Sequence, residues 1–269
     1  MTIEKVYVIP HGDEILDMPN RESAEMHDKI VQMTNADSSD IIVIISPHGL
    51  RLQEKVSVVG TQKCGGYYKT TKRRLRRMYN VDQKKAIDLA AATEGYSEIV
   101  SFLTASGPHS IFPMDFGMMI PLEFFKIRRI IPMGQPRPEN VGGLVEFGRR
   151  LKVWASKHKE NISIVISADQ AHTHSSDGPY GYSIAAKEYD EIIQKCIAES
   201  NLKQVLSLKN DFLQSAKPDS YWNMAILDGI LHDGDIRMKF VYYYVQTWAA
   251  APEVLSQSCG TFFQEHRRM

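Results

Sequence analysis

Residues 41–49 read IIVIISPHG, an apolar β-branched run that ends in a serine, a proline, a histidine and a glycine. A run without alternating polar positions is typical of a strand buried on both faces, as in a parallel sheet. Proline and glycine then end the strand and turn the chain. The stretch therefore predicts a central strand with His48 at its C-terminal end.

The same pattern occurs before and after this stretch. Residues 5–12 read KVYVIPHG and place His11 after a second strand, and residues 162–174 read ISIVISADQAHTH and place His172 and His174 after a third. Ligands of open α/β sheets bind outside the carboxyl ends of the strands. We therefore expect these histidines to share one edge of the sheet.

Helical patterns separate the strands. Apolar residues at helical spacing predict helices over 22–35, 82–105, 140–158, 183–200 and 219–231. Asp219 is the predicted N-cap of the last helix. The remaining segments comprise a further strand over 238–248 and a proline-rich surface loop over 132–140. This order predicts an α/β fold: one domain over 1–269 with a mostly parallel or mixed central sheet, flanking helices and an active site at the strand C-terminal ends.

Composition narrows the function classes. The 269 residues include 32 Lys and Arg against 32 Asp and Glu, so the formal net charge is zero and neither nucleic acid nor a membrane is an expected partner. The basic run 72–77 (KRRLRR) is interpreted as a solvated helix face, with an anion or nucleic-acid patch as the alternative. A third interpretation has one of its arginines pairing with a substrate carboxylate.

The sequence is that expected of a cytoplasmic protein. Its three cysteines are scattered and odd in number, which argues against a disulfide framework. No apolar run approaches the roughly 20 residues of a membrane-spanning helix. The N-terminal residues lack the basic-then-apolar plan of a signal peptide.

Two histidines at one sheet edge suit a metal site that lacks its third ligand. A carboxylate would complete the two-histidine, one-carboxylate face of non-haem Fe(II) oxygenases, which leaves positions free for substrate and O₂. A third histidine or a cysteine would suit zinc better. Spacing does not choose among the candidate carboxylates, which are Asp13, Asp115, Asp169 and Asp219.

Several short motifs occur in a distinctive order. After the two PHG motifs the chain carries DFGMMIPL at 115–122, SADQAH at 167–172, GPYGY at 178–182 and AKPD at 216–219. In order and spacing this set resembles the class III extradiol ring-cleavage dioxygenase superfamily, typified by the catalytic beta subunit of protocatechuate 4,5-dioxygenase. The Memo proteins share that fold. The resemblance extends from residue 5 to about residue 248.

The resemblance implies roles for particular residues. His11 and His48 fall on the two histidine ligands of the iron, and His172 falls on the proposed acid/base histidine. Asp219 holds the position that best matches the glutamate ligand of the family, with a side chain one methylene shorter; the alternative is a simple helix cap. His174, two residues beyond His172, would bind substrate or substitute for it if the segment is extended.

Three further residues are expected around the substrate, namely Phe116, Asp169 and Tyr180. Phe116 stands where family members often have a histidine, which removes a hydrogen-bond donor from the predicted pocket. Asp169 has two alternative roles, because a carboxylate there could orient an imidazole or cap the following turn.

The implied function is an Fe(II)-dependent extradiol-type dioxygenase that opens a small catecholic ring with O₂. The first alternative is a Memo-like protein with a binding or redox role on the same fold. The second is a zinc-dependent hydrolase that uses the same ligands to activate water. Self-association and a separate small subunit are expected by analogy with the family.

Overall fold

A computed structural model describes residues 3–126, 129–245 and 258–265, the last range by its backbone. The strands in these residues are β1 Lys5–Ile9, β2 Ile41–Ser46, β3 Val56–Val59, β4 Lys63–Lys69, β5 Arg74–Val81, β6 Ser97–Val100, β7 Ile111–Pro113, β8 Arg129–Gly134, β9 Ile162–Ser167, β10 Arg237–Val245 and β11 Ser258–Glu265. The helices are α1 Glu14–Asp17, α2 Arg21–Thr34, α3 Gln83–Ala92, α4 Phe116–Leu122, α5 Gly142–Ser156, α6 Ile184–Glu199, α7 Lys203–Leu206, α8 Asn210–Ala216 and α9 Tyr221–Leu231. No helix of the described ranges has both the length and the apolar character needed to cross a membrane.

The strands form one mixed sheet with a parallel centre. Their order is β10-β11-β1-β9-β2-β8-β5-β4-β7, while β3 pairs with β8 and β6 pairs with β3. The four central strands β1, β9, β2 and β8 are mutually parallel, whereas β10 and β11 add an antiparallel margin beside β1. The predicted α/β class with a mostly parallel or mixed sheet is confirmed.

The register of the central strands brings their C-terminal ends level. Ile9 pairs with Ser167, and Ser46 pairs with Gly134. The segments that follow β1, β2, β8 and β9 therefore leave the sheet at one edge, as parallel strands require.

Helices cover both faces of the sheet because side chains alternate along each strand. In β2, Val43 and Ile45 pack into a core that includes α3, α5, α6 and α9. Ile42 and Ile44 of the same strand pack into a second core that includes α1, α2 and α4. This double burial explains why β2 has no polar alternation.

Helices α5 and α9 approach each other closely at two glycines. A Cβ atom added to Gly229 would collide with the carbonyl oxygen of Val145, and one added to Gly148 would collide with that of Ile226. Close backbone approach of this kind requires glycine. It fixes α9, and with it the residues just before α9, against the sheet.

Most predicted elements are confirmed. The helices predicted over 22–35, 140–158 and 183–200 are present as α2, α5 and α6. The helix over 219–231 begins later, at Tyr221, and the predicted N-cap is wrong: Ser220 precedes the helix, and no side-chain cap is formed. Residues 238–245 lie in β10, whereas the rest of the strand predicted over 238–248 lies outside the described residues.

Three predictions of local structure are wrong. The helix predicted over 82–105 ends at Ala92, because the chain turns at Gly95 with φ +89° and enters β6. The surface loop predicted over 132–140 is wrong at its start, where residues 132–134 form the buried end of β8. Proline is unusual in a central strand because it lacks an N–H, yet Pro132 occupies one here. The run 72–77 is a turn and the start of exposed β5, not a helix face.

Candidate metal centre

Three side chains converge at the edge where the central strands end. His11 follows β1, His48 follows β2 and Asp219 lies two residues before α9. His11 Nε2 is 3.0 Å from His48 Nε2 and 3.4 Å from Asp219 Oδ2, and the distance from His48 Nε2 to Asp219 Oδ2 is 2.9 Å. Within the described ranges, these are the residues whose His, Cys, Asp or Glu atoms lie close enough together to share one metal ion.

The dimensions of this triangle fit a divalent cation. Three ligand atoms about 2.1 Å from one ion lie about 3.0 Å apart on a face of an octahedron and about 3.4 Å apart in a tetrahedron. Two of the three observed separations match the octahedral face. Asp219 Oδ2 is also buried and accepts no well-directed hydrogen bond from a described residue, which is costly unless a cation compensates. The donor set therefore fits the expected metal.

The protonation states favour metal ligation. Burial lowers the pKa of His11, although Asp219 opposes that shift, so the ring keeps a lone pair. Burial acts to raise the pKa of Asp219, but His11 and His48 outweigh it and hold this pKa well below its usual range. A neutral imidazole beside an ionised carboxylate is the state in which both groups bind a metal.

Surrounding side chains orient His11. The Ser167 hydroxyl donates to the carbonyl oxygen of Gly117 at 2.5 Å, so it accepts from His11 Nδ1 at 2.9 Å. The proton thus resides on Nδ1 and leaves Nε2 free to bind a metal. The backbone N–H of His11 donates to Asp169 Oδ1 at 3.0 Å.

The structure distinguishes among the four carboxylates that the sequence offered as the third ligand. Asp13 accepts a hydrogen bond from Tyr68, and Asp115 caps α4 by accepting from the Met118 N–H. Asp169 is fully buried with Oδ2 3.5 Å from His11 Nε2, and burial followed by the charge of Asp219 raises its pKa well above the usual range. Of the four, Asp219 joins the two histidines.

A cavity of about 510 Å³ opens beside the triangle. This size is within the usual range of small-molecule sites, about 300–1,000 Å³. Its lining includes His48, Phe116, Arg137, His172, Tyr180, Asn210, Leu213, Gln214, Lys217, Pro218, Asp219, Tyr221 and Trp222. An open space large enough for an aromatic ring thus adjoins the candidate ligands.

His172 faces this cavity in a defined tautomer. Its Nδ1 lies 2.8 Å from the carbonyl oxygen of Lys217, and a carbonyl can only accept. The proton of the neutral ring therefore resides on Nδ1, and Nε2 carries the lone pair. His172 is nearly buried, and its ring contacts Tyr180 edge to face at 5.1 Å between centroids.

Phe116 packs against both candidate histidine ligands. The centroid of its ring lies 4.3 Å from that of His48 and 5.6 Å from that of His11, and it stacks on Tyr68 at 5.4 Å. This position has no side-chain hydrogen-bond donor, and the apolar ring of Phe116 packs against the histidines instead. Phe116 and Tyr180 line the cavity, and Asp169 lies behind His11.

His174 has a different environment from His172. Its Nε2 lies 2.8 Å from Asp190 Oδ2, and both side chains are largely buried. His174 is absent from the lining of the cavity in the described part of the chain. Its contact with Asp190 anchors the segment that carries His172.

Among the cavity residues that sequence reasoning missed are its two basic side chains, Arg137 and Lys217. Arg137 lies three residues beyond the end of β8, at the same edge as the histidines, but this strand was interpreted as a loop. Had β8 been recognised, the strand-end rule would have indicated the position. The basic run 72–77 supplies none of the arginines that line this cavity in the described residues.

Comparison with known proteins defines the family. A family model described as the catalytic LigB subunit of aromatic ring-opening dioxygenase matches residues 5–251. The chain belongs to this family. The resemblance inferred from the motifs is thereby confirmed.

Two individual proteins are also similar to this chain. Protein CA_C1420 of Clostridium acetobutylicum is 22% identical over 264 residues; the match covers 90% of this chain and 55% of that protein, so the chain spans about half the length of this relative. The crystal structure of uncharacterized protein JW3007 from Escherichia coli K12 superposes with a TM-score of 0.63 at 13% identity and covers 97% of this chain and 99% of that one. At this identity the likeness shows the shared fold.

Proposed function

We propose that this protein is an Fe(II)-dependent extradiol-type dioxygenase that opens the ring of a small catecholic substrate with O₂. The observation that carries the proposal is the triangle of His11 Nε2, His48 Nε2 and Asp219 Oδ2, with sides of 2.9–3.4 Å, beside an open cavity. Membership of a family described as ring-opening dioxygenase subunits supports it.

In the proposal, His11, His48 and Asp219 would hold the iron. Fe(II) held there would bring a catechol and O₂ together and would lower the pKa of the substrate hydroxyl. Ser167 keeps the His11 ring in the ligating tautomer, and Asp169 holds the backbone of His11 through its N–H. Zinc is the alternative occupant, since the same donors bind it.

His172 is the proposed acid/base. Its Nδ1–H donates a hydrogen bond to the Lys217 carbonyl. Nε2 can therefore accept a proton from a substrate hydroxyl in the cavity and later return it. His174, paired with Asp190, is assigned the supporting role of anchoring this segment.

The cavity favours substrate turnover over a purely binding role. A Memo-like protein without ring-cleaving activity is the second candidate, and a pocket filled by side chains would favour it. Here the space beside the ligands is open, and the aromatic side chains of Phe116 and Tyr180 are part of its lining, which suits an aromatic substrate. Self-association, a separate small subunit and a cytoplasmic location remain part of the proposal by analogy.

The test is anaerobic loading with Fe(II) followed by O₂ uptake and product absorbance with a panel of catechols. We expect uptake with at least one catechol, and its loss in His48→Ala with a parallel loss of iron. His109→Gln is the matched control, because His109 is exposed in a short 3-10 turn.

The alternatives give different results in the same experiment. Iron-loaded protein that consumes no O₂ with any catechol would contradict the proposal and favour the Memo-like role. Stoichiometric zinc in protein purified without added metal, together with hydrolytic activity, would favour the zinc-dependent hydrolase.

A further inference from the structure

Arg137 lines the cavity, and one of its hydrogen-bond donors is unused. Its Nε is buried and has no hydrogen-bond partner among the described residues. Its guanidinium lies 4.9 Å from the ring centroid of Trp222, and Nη2 is 3.5 Å from the carbonyl oxygen of Asp219. The flanking Pro136 and Pro138 restrict the backbone on both sides.

No carboxylate neutralises this arginine in the described part of the chain. The acidic side chain of the cavity is Asp219, whose Oδ2 faces the two histidines and whose backbone oxygen is what Arg137 reaches. A partly buried guanidinium without a counter-ion is an unfavourable arrangement that an anionic ligand would relieve.

Lys217 adds a second positive charge to the lining of the same cavity. It occupies the left-handed position that ends α8, with φ 52°, and its ammonium lies 5.8 Å from the ring centroid of Tyr180. It forms no ion pair with a described residue. Although the protein has no net charge, the lining of this cavity therefore includes two basic side chains, Arg137 and Lys217.

We infer that Arg137, assisted by Lys217, binds a carboxylate carried by the aromatic substrate. The inference deepens the proposed function and rests on it only for the identity of the ring that carries the anion. The planar guanidinium fork matches the two oxygens of a carboxylate, and the position of Arg137 against Asp219 places this anion beside the metal centre. The aromatic side chains of Phe116 and Tyr180 in the cavity lining favour an aromatic acid over a bare inorganic anion.

Binding can be measured without metal, O₂ or turnover. Chelator-treated protein is titrated by calorimetry with benzoate, with its neutral analogue benzamide and with inorganic phosphate. We expect benzoate to bind and benzamide to bind about ten- to a hundredfold more weakly, the range for losing a charge-assisted hydrogen bond. Phosphate is not expected to displace benzoate.

Variants assign the effect to the guanidinium. Arg137→Gln is expected to weaken benzoate binding about ten- to a hundredfold and to leave benzamide binding unchanged, while Arg137→Lys gives an intermediate loss. The matched control is Arg150→Gln, because Arg150 lies over the Tyr96 ring at 4.7 Å, away from the cavity. If Arg137→Gln does not fold, Arg137→Lys and Lys217→Gln provide the test.

Three results would overturn the inference: no benzoate binding at millimolar concentration, equal binding of benzoate and benzamide, or benzoate binding that Arg137→Gln and Arg137→Lys leave intact. Preferential binding of phosphate would overturn the assignment to an aromatic acid. The outcome is separable from that of the proposed function, because a protein that binds benzoate through Arg137 but consumes no O₂ retains the anion site and loses the dioxygenase assignment.

Discussion

The two buried histidines at the centre are each held by a single oxygen acceptor on Nδ1. His172 donates to the Lys217 carbonyl, and His11 donates to the Ser167 hydroxyl. In both cases the acceptor determines the tautomer and frees Nε2. The Nε2 of His11 then faces the proposed metal position, whereas His172 lines the cavity, so two rings in the same tautomer acquire different roles from their positions.

The acid/base assignment predicts the behaviour of His172→Gln. Glutamine retains hydrogen bonding but cannot take up a proton at neutral pH, so kcat should fall about 10²- to 10⁴-fold. Iron content should stay unchanged, because His172 is not one of the three candidate ligands. Steady-state O₂ uptake and metal analysis check both halves. A proportional loss of iron would show that His172 serves the metal site instead.

The orienting role of Ser167 predicts a defect in Ser167→Ala. His11 Nδ1 loses its acceptor and the Gly117 carbonyl loses its donor, so metal affinity should fall about 10- to 100-fold. Ser163→Ala is the control in the same strand, since Ser163 donates to Asp37 rather than to the site. Metal titration monitored by calorimetry measures the difference; equal affinities in both variants would contradict the prediction.

At the scale of elements, hydrogen bonds hold both the end of α8 and the connector that leads to α9. The His172 N–H donates to the Ala216 carbonyl, and the Thr173 hydroxyl donates to the Ser215 carbonyl. In the connector, the side-chain amide of Gln135 donates to the Asp219 carbonyl at 3.0 Å. The segments that follow β8 and β9 thus position Asp219. These contacts explain how a residue that precedes α9 is held next to the two histidines.

The α5–α9 crossing predicts a marked loss of stability in Gly229→Ala. The added methyl would collide with the Val145 carbonyl, and overpacking of this kind costs about 1–3 kcal/mol. Urea denaturation measures the change. Gly143→Ala in the same helix pair is the control: its Cβ would lie 3.7 Å from Tyr96, an ordinary contact, and alanine should gain up to about 1 kcal/mol. Equal effects in the two variants would argue against a tight crossing.

At the scale of the molecule, the metal centre joins segments that are distant in sequence. His11 follows β1 and His48 follows β2, two parallel strands with β9 between them, whereas Asp219 follows α8. A cation bound by all three would link the sheet to the C-terminal helices. Because the unfolded chain does not present these ligands together, metal binding should stabilise the folded state.

Metal addition should therefore raise the melting temperature. At a free metal concentration of about 100 times Kd the gain is about 2.7 kcal/mol, or roughly 5–10 °C for a chain of this size. Scanning fluorimetry of chelator-treated protein, with and without Fe(II) under anaerobic conditions, measures the shift. It should disappear in His48→Ala and persist in His109→Gln; a shift that persists in both would place the stabilising metal elsewhere.

Sequence patterns predicted the local elements best where burial is uniform. β2 and β9 are buried throughout and were recognised, as were α5 and α6, whose apolar residues recur at helical spacing. β8 was misread because Pro132 contradicts the usual composition of a central strand. β11 was not predicted, since its place beside β1 depends on long-range pairing. That residues 1–269 form a single domain remains a prediction.

The amino-acid sequence by itself determined the parallel sheet, the edge at which its strands end and the presence of His11 and His48 at that edge, because strand formation and termination follow from nearby residues. Only the tertiary structure decided that Asp219 meets these histidines and that Arg137 faces the same cavity. Those residues lie far apart in the chain, and their meeting depends on how helices pack on the sheet, which local periodicity does not encode.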